Sequence, residues 1–553
     1  MELINKISLN KKIDKYKIVS ILFYVIYGAI WIILFAKCKY GYGNLDETYY
    51  LQVTHRIAQG DALIAEEWHI GQLFSYLLLP FMYLYMHIFN TSTGIVLFFR
   101  YLYTFVWGTA NLFIYFKIKK INHLGAVFAS IFLLIYAPFG IMALSYNSFG
   151  IMFLVLSCVL NLTSNSKISN IISGSFYSFA VLCCPSLVVL LIYYLIYFLF
   201  IKKEKSQLLY FIIGIIIQFI IFIIFVLSRA SLSKIIQSIP YILSHPEHDD
   251  ANLISKIKIW FLSFYNRSNK YLLLAIMLVV AVSYFIKHKQ IILIIILLLI
   301  TGLIIYTYKT YYYINHLMYP LALIAPFLFI TKNDKIKKIL YSIWLPGLIY
   351  SLCLNFTSNQ GEYAIFSALS ISSFGSIISL CIYVDESINT NKLKNIVIKT
   401  MMCLVIVLQI SLLLIVRWNN IFWDTYTSKQ NKLIEKGPEK GLYVSDEKYD
   451  IYSEVVDVFD SLDLEDDSIF VLSSNSLYYL CYFNSRSSSS SSWLLPGDTL
   501  QMKYLEINPS KLPNKIIYPL NEYDNYDNLL DELMNRYSYK LVDSNKFVQL
   551  YSK

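Results

Sequence analysis

The strongest constraint on this chain is a succession of apolar runs, each about as long as a membrane is thick. They lie near 18–36, 95–116, 123–142, 147–162, 170–184, 186–201, 207–228, 270–286, 290–308, 313–330, 337–355, 362–384 and 396–417. About 20 helical residues cross the hydrocarbon core of a bilayer, and only helices or closed barrels satisfy their backbone there. Of the 553 residues, 57% are hydrophobic and 15% charged. Average soluble domains carry about 25% charged residues, so lipid has to be the solvent for most of this chain. The sequence predicts an all-α polytopic membrane protein with about 13 transmembrane helices over 1–417, followed by a polar domain over 418–553.

The net charge of +10 does not point to nucleic acid. The lysines cluster in short segments between apolar runs, as at Lys117, Lys119 and Lys120 or Lys202, Lys203 and Lys205. That is the pattern of cytoplasmic loops. The first apolar stretch has no small-residue cleavage site after it and reads as a signal anchor. A further run, 70–89, contains Pro80 and many tyrosines and reads as an interfacial helix. With that helix kept out of the count of spans, the chain sits in the cell membrane with its N-terminus cytoplasmic and its C-terminus extracytoplasmic. Two long external loops follow, 37–94 and 229–269. The eight cysteines show no metal-ligand spacing and read as buried small hydrophobes.

In the tail, Tyr449–Asp463 and Tyr526–Tyr537 read as helices. Ser468–Ser474, Lys515–Leu520 and Lys546–Tyr551 read as strands, which makes a small α/β domain. The run Ser487–Ser492 reads as a flexible loop.

The first external loop holds the most chemistry. In Asn44-Leu45-Asp46-Glu47-Thr48-Tyr49-Tyr50, Asn44 can cap a helix with Asp46 and Glu47 in its first turn, and Gly60 can stop it. The plain structural reading is a capping-box variant with acids favouring the helix dipole. The same geometry also keeps a carboxylate ionised, ready to take a proton from a hydroxyl. Asp61, Glu66, Glu67, Trp68, His69 and Gln72 form a second cluster whose residue types suit sugar hydroxyls and a flat sugar face; it also fits a solvated loop. Arg100, five residues into its span, Arg229 and Lys309 lie at outer helix ends and are candidate phosphate contacts, against simple snorkelling of a basic side chain. His245, Glu247, His248, Asp249 and Asp250 have divalent-metal ligand types but no fixed spacing to further ligands, so neither a metal nor a cofactor is assigned. No P-loop or dinucleotide fingerprint is present.

Three features together resemble the GT-C membrane glycosyltransferases, above all the protein O-mannosyltransferases (glycosyltransferase family 39) and the lipid A aminoarabinose transferase. They are Asp46-Glu47 in the first external loop, the Leu/Pro-rich helix at Gln72–Phe89, and Arg100 at the outer start of the next span. The resemblance implies a GT-C-like catalytic domain embedded among membrane lipids. It implies transfer of a sugar, with inversion, from a polyprenyl-phosphate-linked donor to an extracytoplasmic glycan, lipid or protein. Asp46 would be the catalytic carboxylate, Glu47 its support and Arg100 the phosphate ligand. His69, Glu67, Gln72, Arg229 and Lys309 would contact substrate. The sequence departs from the pattern at Ala137–Ser148, which has no acid, and at Cys183-Cys184-Pro185, where relatives often show Lys-Pro. A lipid-linked glycan transporter or flippase, or a non-enzymatic membrane protein with an external domain, is the alternative. Nearly charge-free span centres disfavour the transporter.

Overall fold

A computed structural model describes residues 2–42, 44–244, 253–286, 288–331, 333–358, 360–386, 392–462, 464, 467–494, 500–520 and 525–553. The metal-type cluster from His245 to Asp250 lies outside the described residues. The chain is an all-α helical membrane unit carrying a small mixed-sheet domain at its C-terminus. Among the described residues, eight helices are long and apolar enough to cross a membrane, and four more apolar helical segments are shorter. Prolines explain part of the shortening. The run 313–330 becomes the pieces Asn315–Leu317, Pro320–Ile324 and Ala325–Phe329, because Pro320 and Pro326 cannot donate to a continuous ladder. Likewise Pro185 separates the helix Lys167–Cys183 from the one starting at Leu190. The segment Gln72–Phe89, expected to lie in the interface, is itself long and apolar enough to cross.

Four helices frame the site: α1 (Glu2–Lys37), α2 (Asn44–Ala58), α3 (Ser75–Phe89) and α4 (Ile95–Ile118). Tyr27 and Trp31 of α1 donate to the backbone oxygens of Gly108 and Thr104 on α4, at 2.6 and 2.8 Å. Hydrogen bonds between helices matter in lipid, where burial alone gives little association. Small residues do the same work elsewhere. A Cβ at Gly174 would meet Phe211 O at 2.0 Å, and one at Gly214 would meet Ile171 O at 2.0 Å. The helices Lys167–Cys183 and Lys205–Leu227 can pack this closely only with glycine at both positions.

The tail begins with a two-stranded ribbon, β1 (Lys432–Leu433) and β2 (Tyr443–Val444). Five further strands are β3 (Ser468–Val471), β4 (Arg486–Ser487), β5 (Lys515–Pro519), β6 (Lys540–Ser544) and β7 (Val548–Ser552). They pair in the order β4-β3-β5-β7-β6, with β3 parallel to β4 and β5 and the remaining pairs antiparallel. Helices Asp446–Asp460 and Asp527–Tyr537 occupy the expected places. The serine run does not: every residue from Ser487 to Ser492 is buried, at the seam with the first loop.

Seven of the eight free cysteines are buried and Cys403 is half-buried. Among the described residues, no group of three or more His, Cys, Asp or Glu side chains is placed to hold a metal ion.

Candidate active site

Helix α2 opens with Asp46 and Glu47 in its first turn. Its stop follows Ala58, where Gly60 takes a positive φ of 117°, a conformation glycine adopts at little cost. The cap expected of the Asn44 side chain falls outside the described atoms. Consecutive helical residues point about 100° apart and never share a face, and here that divergence separates two carboxylates.

Asp46 lines a cavity of about 240 Å³ together with Tyr50, His69, Tyr146, Asn147, Gln360 and the rings of Trp423 and Trp493. The phenol of Tyr50, one turn on, donates to Asp46 Oδ1 at 3.3 Å. Burial pushes Tyr50 well above its ordinary pKa, so it remains a donor. Tyr146 and Asn147 are set by a capping box between Ser145 and Ser148. At His69, the amide of Gly71 donates to Nδ1 at 3.0 Å, and Tyr49 Oη lies 2.6 Å from the same nitrogen. An amide can only donate, so Nδ1 acts as the acceptor from Gly71.

Glu47 turns the other way. Arg100 Nε donates to its Oε1 at 2.8 Å and Arg100 Nη2 to its Oε2, a buried two-point pair. Arg100 Nη1 donates to the carbonyls of Cys38 and Tyr40, at 3.0 and 3.4 Å. Expected as a phosphate ligand, Arg100 has its guanidinium engaged with Glu47 and with the end of α1. A small neighbouring cavity, lined by Lys37, Glu47, Arg100 and Asn420, shares Ile141 and Phe422 with the first. Lys37 there is buried and donates to Thr427 Oγ1. Arg417 is buried too: its Nη1 donates to Gly140 O at 2.7 Å, while its Nε has no partner among the described atoms.

The other expected contacts lie elsewhere. Glu67 is fully buried; it accepts from Arg56 Nη1 at 2.8 Å and from the amide and hydroxyl of Ser492, at 3.1 and 2.7 Å. Gln72 staples the loop, accepting from Ile64 N at 2.6 Å and donating to Glu67 O and His69 O. Both were expected to touch sugar; both instead have their polar atoms committed inside the protein. Arg229 donates to the carbonyls of Ile57 and Asp61 and, at 2.9 Å, to Tyr83 Oη. Lys309 is exposed on the last turn of its helix and does not line the cavity. Of the eight residues picked from sequence, then, Asp46 and His69 reach the main cavity, while Glu47 and Arg100 stand behind it. Sequence reading missed Tyr50, Tyr146, Gln360, Lys37 and Arg417 as site residues. Lys37 and Arg417 are basic residues in the last turns of the first and last apolar helices, the one signal that marked them.

No family model and no curated protein matches this chain. Solved structures do. The crystal structure of ArnT from Cupriavidus metallidurans bound to undecaprenyl phosphate aligns over 96% of this chain and 97% of its own, with a TM-score of 0.51 and 10% identity. The same protein in its apo state aligns over the same shares at a TM-score of 0.45 and 9% identity. At such identity the likeness speaks to architecture, and it covers nearly all of the chain: this protein has the ArnT-like GT-C fold.

Proposed function

We propose that the protein is a membrane glycosyltransferase that moves a sugar from a polyprenyl-phosphate donor to an extracytoplasmic acceptor hydroxyl, with inversion. The observation that carries this is the divergence of Asp46 and Glu47: one carboxylate opens onto the cavity while its neighbour is fixed by Arg100. The fold, shared with a protein crystallised with undecaprenyl phosphate, supports the same reading.

In this mechanism the acceptor oxygen attacks the anomeric carbon as the carbon–oxygen bond to the donor phosphate breaks. The bond electrons leave with the polyprenyl phosphate, and Asp46 takes the acceptor proton. A single displacement inverts the anomeric centre. Tyr50 orients Asp46, and His69 lines the same cavity beside a sugar hydroxyl. Among the described residues, the main cavity has no Lys or Arg in its lining. The donor phosphate therefore goes to the wall it shares with the smaller cavity, where Lys37 offers an amine donor, Arg100 supplies positive charge, and Arg417, bonded to Gly140 of that wall, adds a second guanidinium whose Nε has no partner among the described atoms. Buried cations of this kind stabilise a phosphate leaving group most when water is excluded.

The test is Asp46→Asn, which keeps the side chain's size and removes the base. A positioned carboxylate contributes about 10²–10⁴-fold, so kcat for transfer from a polyprenyl-phosphate sugar by purified protein should fall at least about a hundredfold, with an unchanged melting temperature. Normal turnover by the folded variant would refute the catalytic assignment.

A further inference from the structure

A second cavity lies at the seam between the α3–α4 turn and the polar tail. It measures about 370 Å³ and shares no lining residue with the cavity at Asp46. One wall is the turn from Asn90 to Thr93. The opposite wall is aromatic, with Phe459 and Tyr482 at 5.1 Å and 58° to one another. Asn484 and Ser485 add an amide and a hydroxyl, and among the described residues the only charged ones in the lining, Lys436 and Asp460, are paired with each other at 2.5 Å.

The walls are anchored. Gln59 Nε2 of α2 donates to Phe483 O and Ser485 O at 3.0 and 3.2 Å, and Gly94 N donates to Gly437 O at 3.0 Å. Tyr85 Oη holds Thr93 O at 3.1 Å.

This lining selects its ligand by exclusion. An anion would have to break the Lys436–Asp460 pair to find a cation. A purely apolar ligand would strip water from the hydroxyls of Thr91, Ser92 and Thr93 without replacing its hydrogen bonds, which is costly. What remains is a neutral molecule with hydroxyls on one side and a flat C–H face on the other, sized for a cavity at the low end of the usual range of about 300–1,000 Å³. We infer that this seam cavity is a binding site for a neutral saccharide of one or two rings, separate from the reaction cavity. The inference concerns binding alone and does not require the transferase reading.

The experiment uses the full chain in phosphatidylcholine nanodiscs, purified in a detergent without a sugar headgroup and probed on an array of immobilised neutral and anionic oligosaccharides. Wild-type protein should retain neutral glycans. Asn484→Trp fills the cavity from an exposed position and should weaken apparent affinity at least about tenfold, or about 1.4 kcal/mol. Thr91→Ala, a milder change, should weaken it in the same direction if the tryptophan variant melts early. Asp46→Asn should bind as wild type. Retention of anionic glycans only, no glycan retention, binding indifferent to both seam variants, or equal loss in Asp46→Asn would each overturn the assignment.

Discussion

Arg100 of α4 grips Glu47 of α2, 53 residues earlier in the sequence, through two guanidinium nitrogens, with both side chains 3% exposed. The neighbouring Asp46 is thereby held toward the cavity. Removing one member of a buried pair leaves an uncompensated charge, a loss of about 3–5 kcal/mol. Arg100→Ala should therefore lower the melting temperature clearly, and Arg100→Lys, which cannot make the two-point contact, should recover only part. The double variant Arg100→Ala/Glu47→Ala should be more stable than the sum of the two single losses. A strictly additive cycle would remove the pair as a structural unit.

A second buried cation ties the tail to the membrane unit. Arg56 donates to Asp61 and Glu67, each at 2.8 Å, and to Ser489 O at 3.0 Å. Lys511 from the tail pairs with Asp61 in turn. Arg56→Ala leaves two buried carboxylates short of their counter-ion, so limited proteolysis should release a tail fragment that the wild type retains. An unchanged digestion pattern would show that the seam holds without this arginine.

The two ion-pair systems also mark how far the sequence could be read. Asp46, Glu47 and the Gly60 stop are local: a helix start, its first-turn acids and a glycine close it within one segment. The membrane class followed from run length, and the tail helices and three of its strands from periodicity. Arg56 was out of reach because two of its contacts, Ser489 and Tyr504, are 433 and 448 residues distant. The serine run looked like a linker for the same reason: nothing local says that Glu67 accepts from Ser492, or that Trp68 N donates to Ser490 O at 2.8 Å. Glu67 and Gln72 are polar enough to bind sugar, and only the folded loop reveals that their atoms are already committed.

Orientation across the membrane rests on lysine placement and on whether Gln72–Phe89 crosses. In a Cys-free background, Glu447→Cys, exposed on the tail, should react with a membrane-impermeant maleimide added to intact cells. Lys120→Cys, exposed in the turn just after α4, should react only after lysis. Labelling of position 120 from outside would reverse the assignment and make Gln72–Phe89 a span.

The last prediction concerns pH. Glu439, in the segment between β1 and β2, is fully buried, and neither carboxylate oxygen has a hydrogen-bond partner among the described atoms. Burial raises its pKa well above the ordinary 4.5; Glu47 adds to the rise, while Arg100 and Lys448 oppose it. Between the unfolded value and the raised folded one, the folded state keeps a proton that the unfolded chain has lost. Stability from this group is therefore present at low pH and declines as pH climbs through that window. His55 acts in the opposite sense: burial lowers it to about 3, so its contribution is lost as pH falls below about 6.5. A comparison with Glu439→Gln isolates the glutamate, because His55 is common to both proteins. Melting temperatures of wild type and Glu439→Gln should lie closest near pH 4.5 and separate by pH 8, with the glutamine variant the more stable. Parallel curves across that range would mean that Glu439 is ionised in the folded protein and finds a counter-charge there.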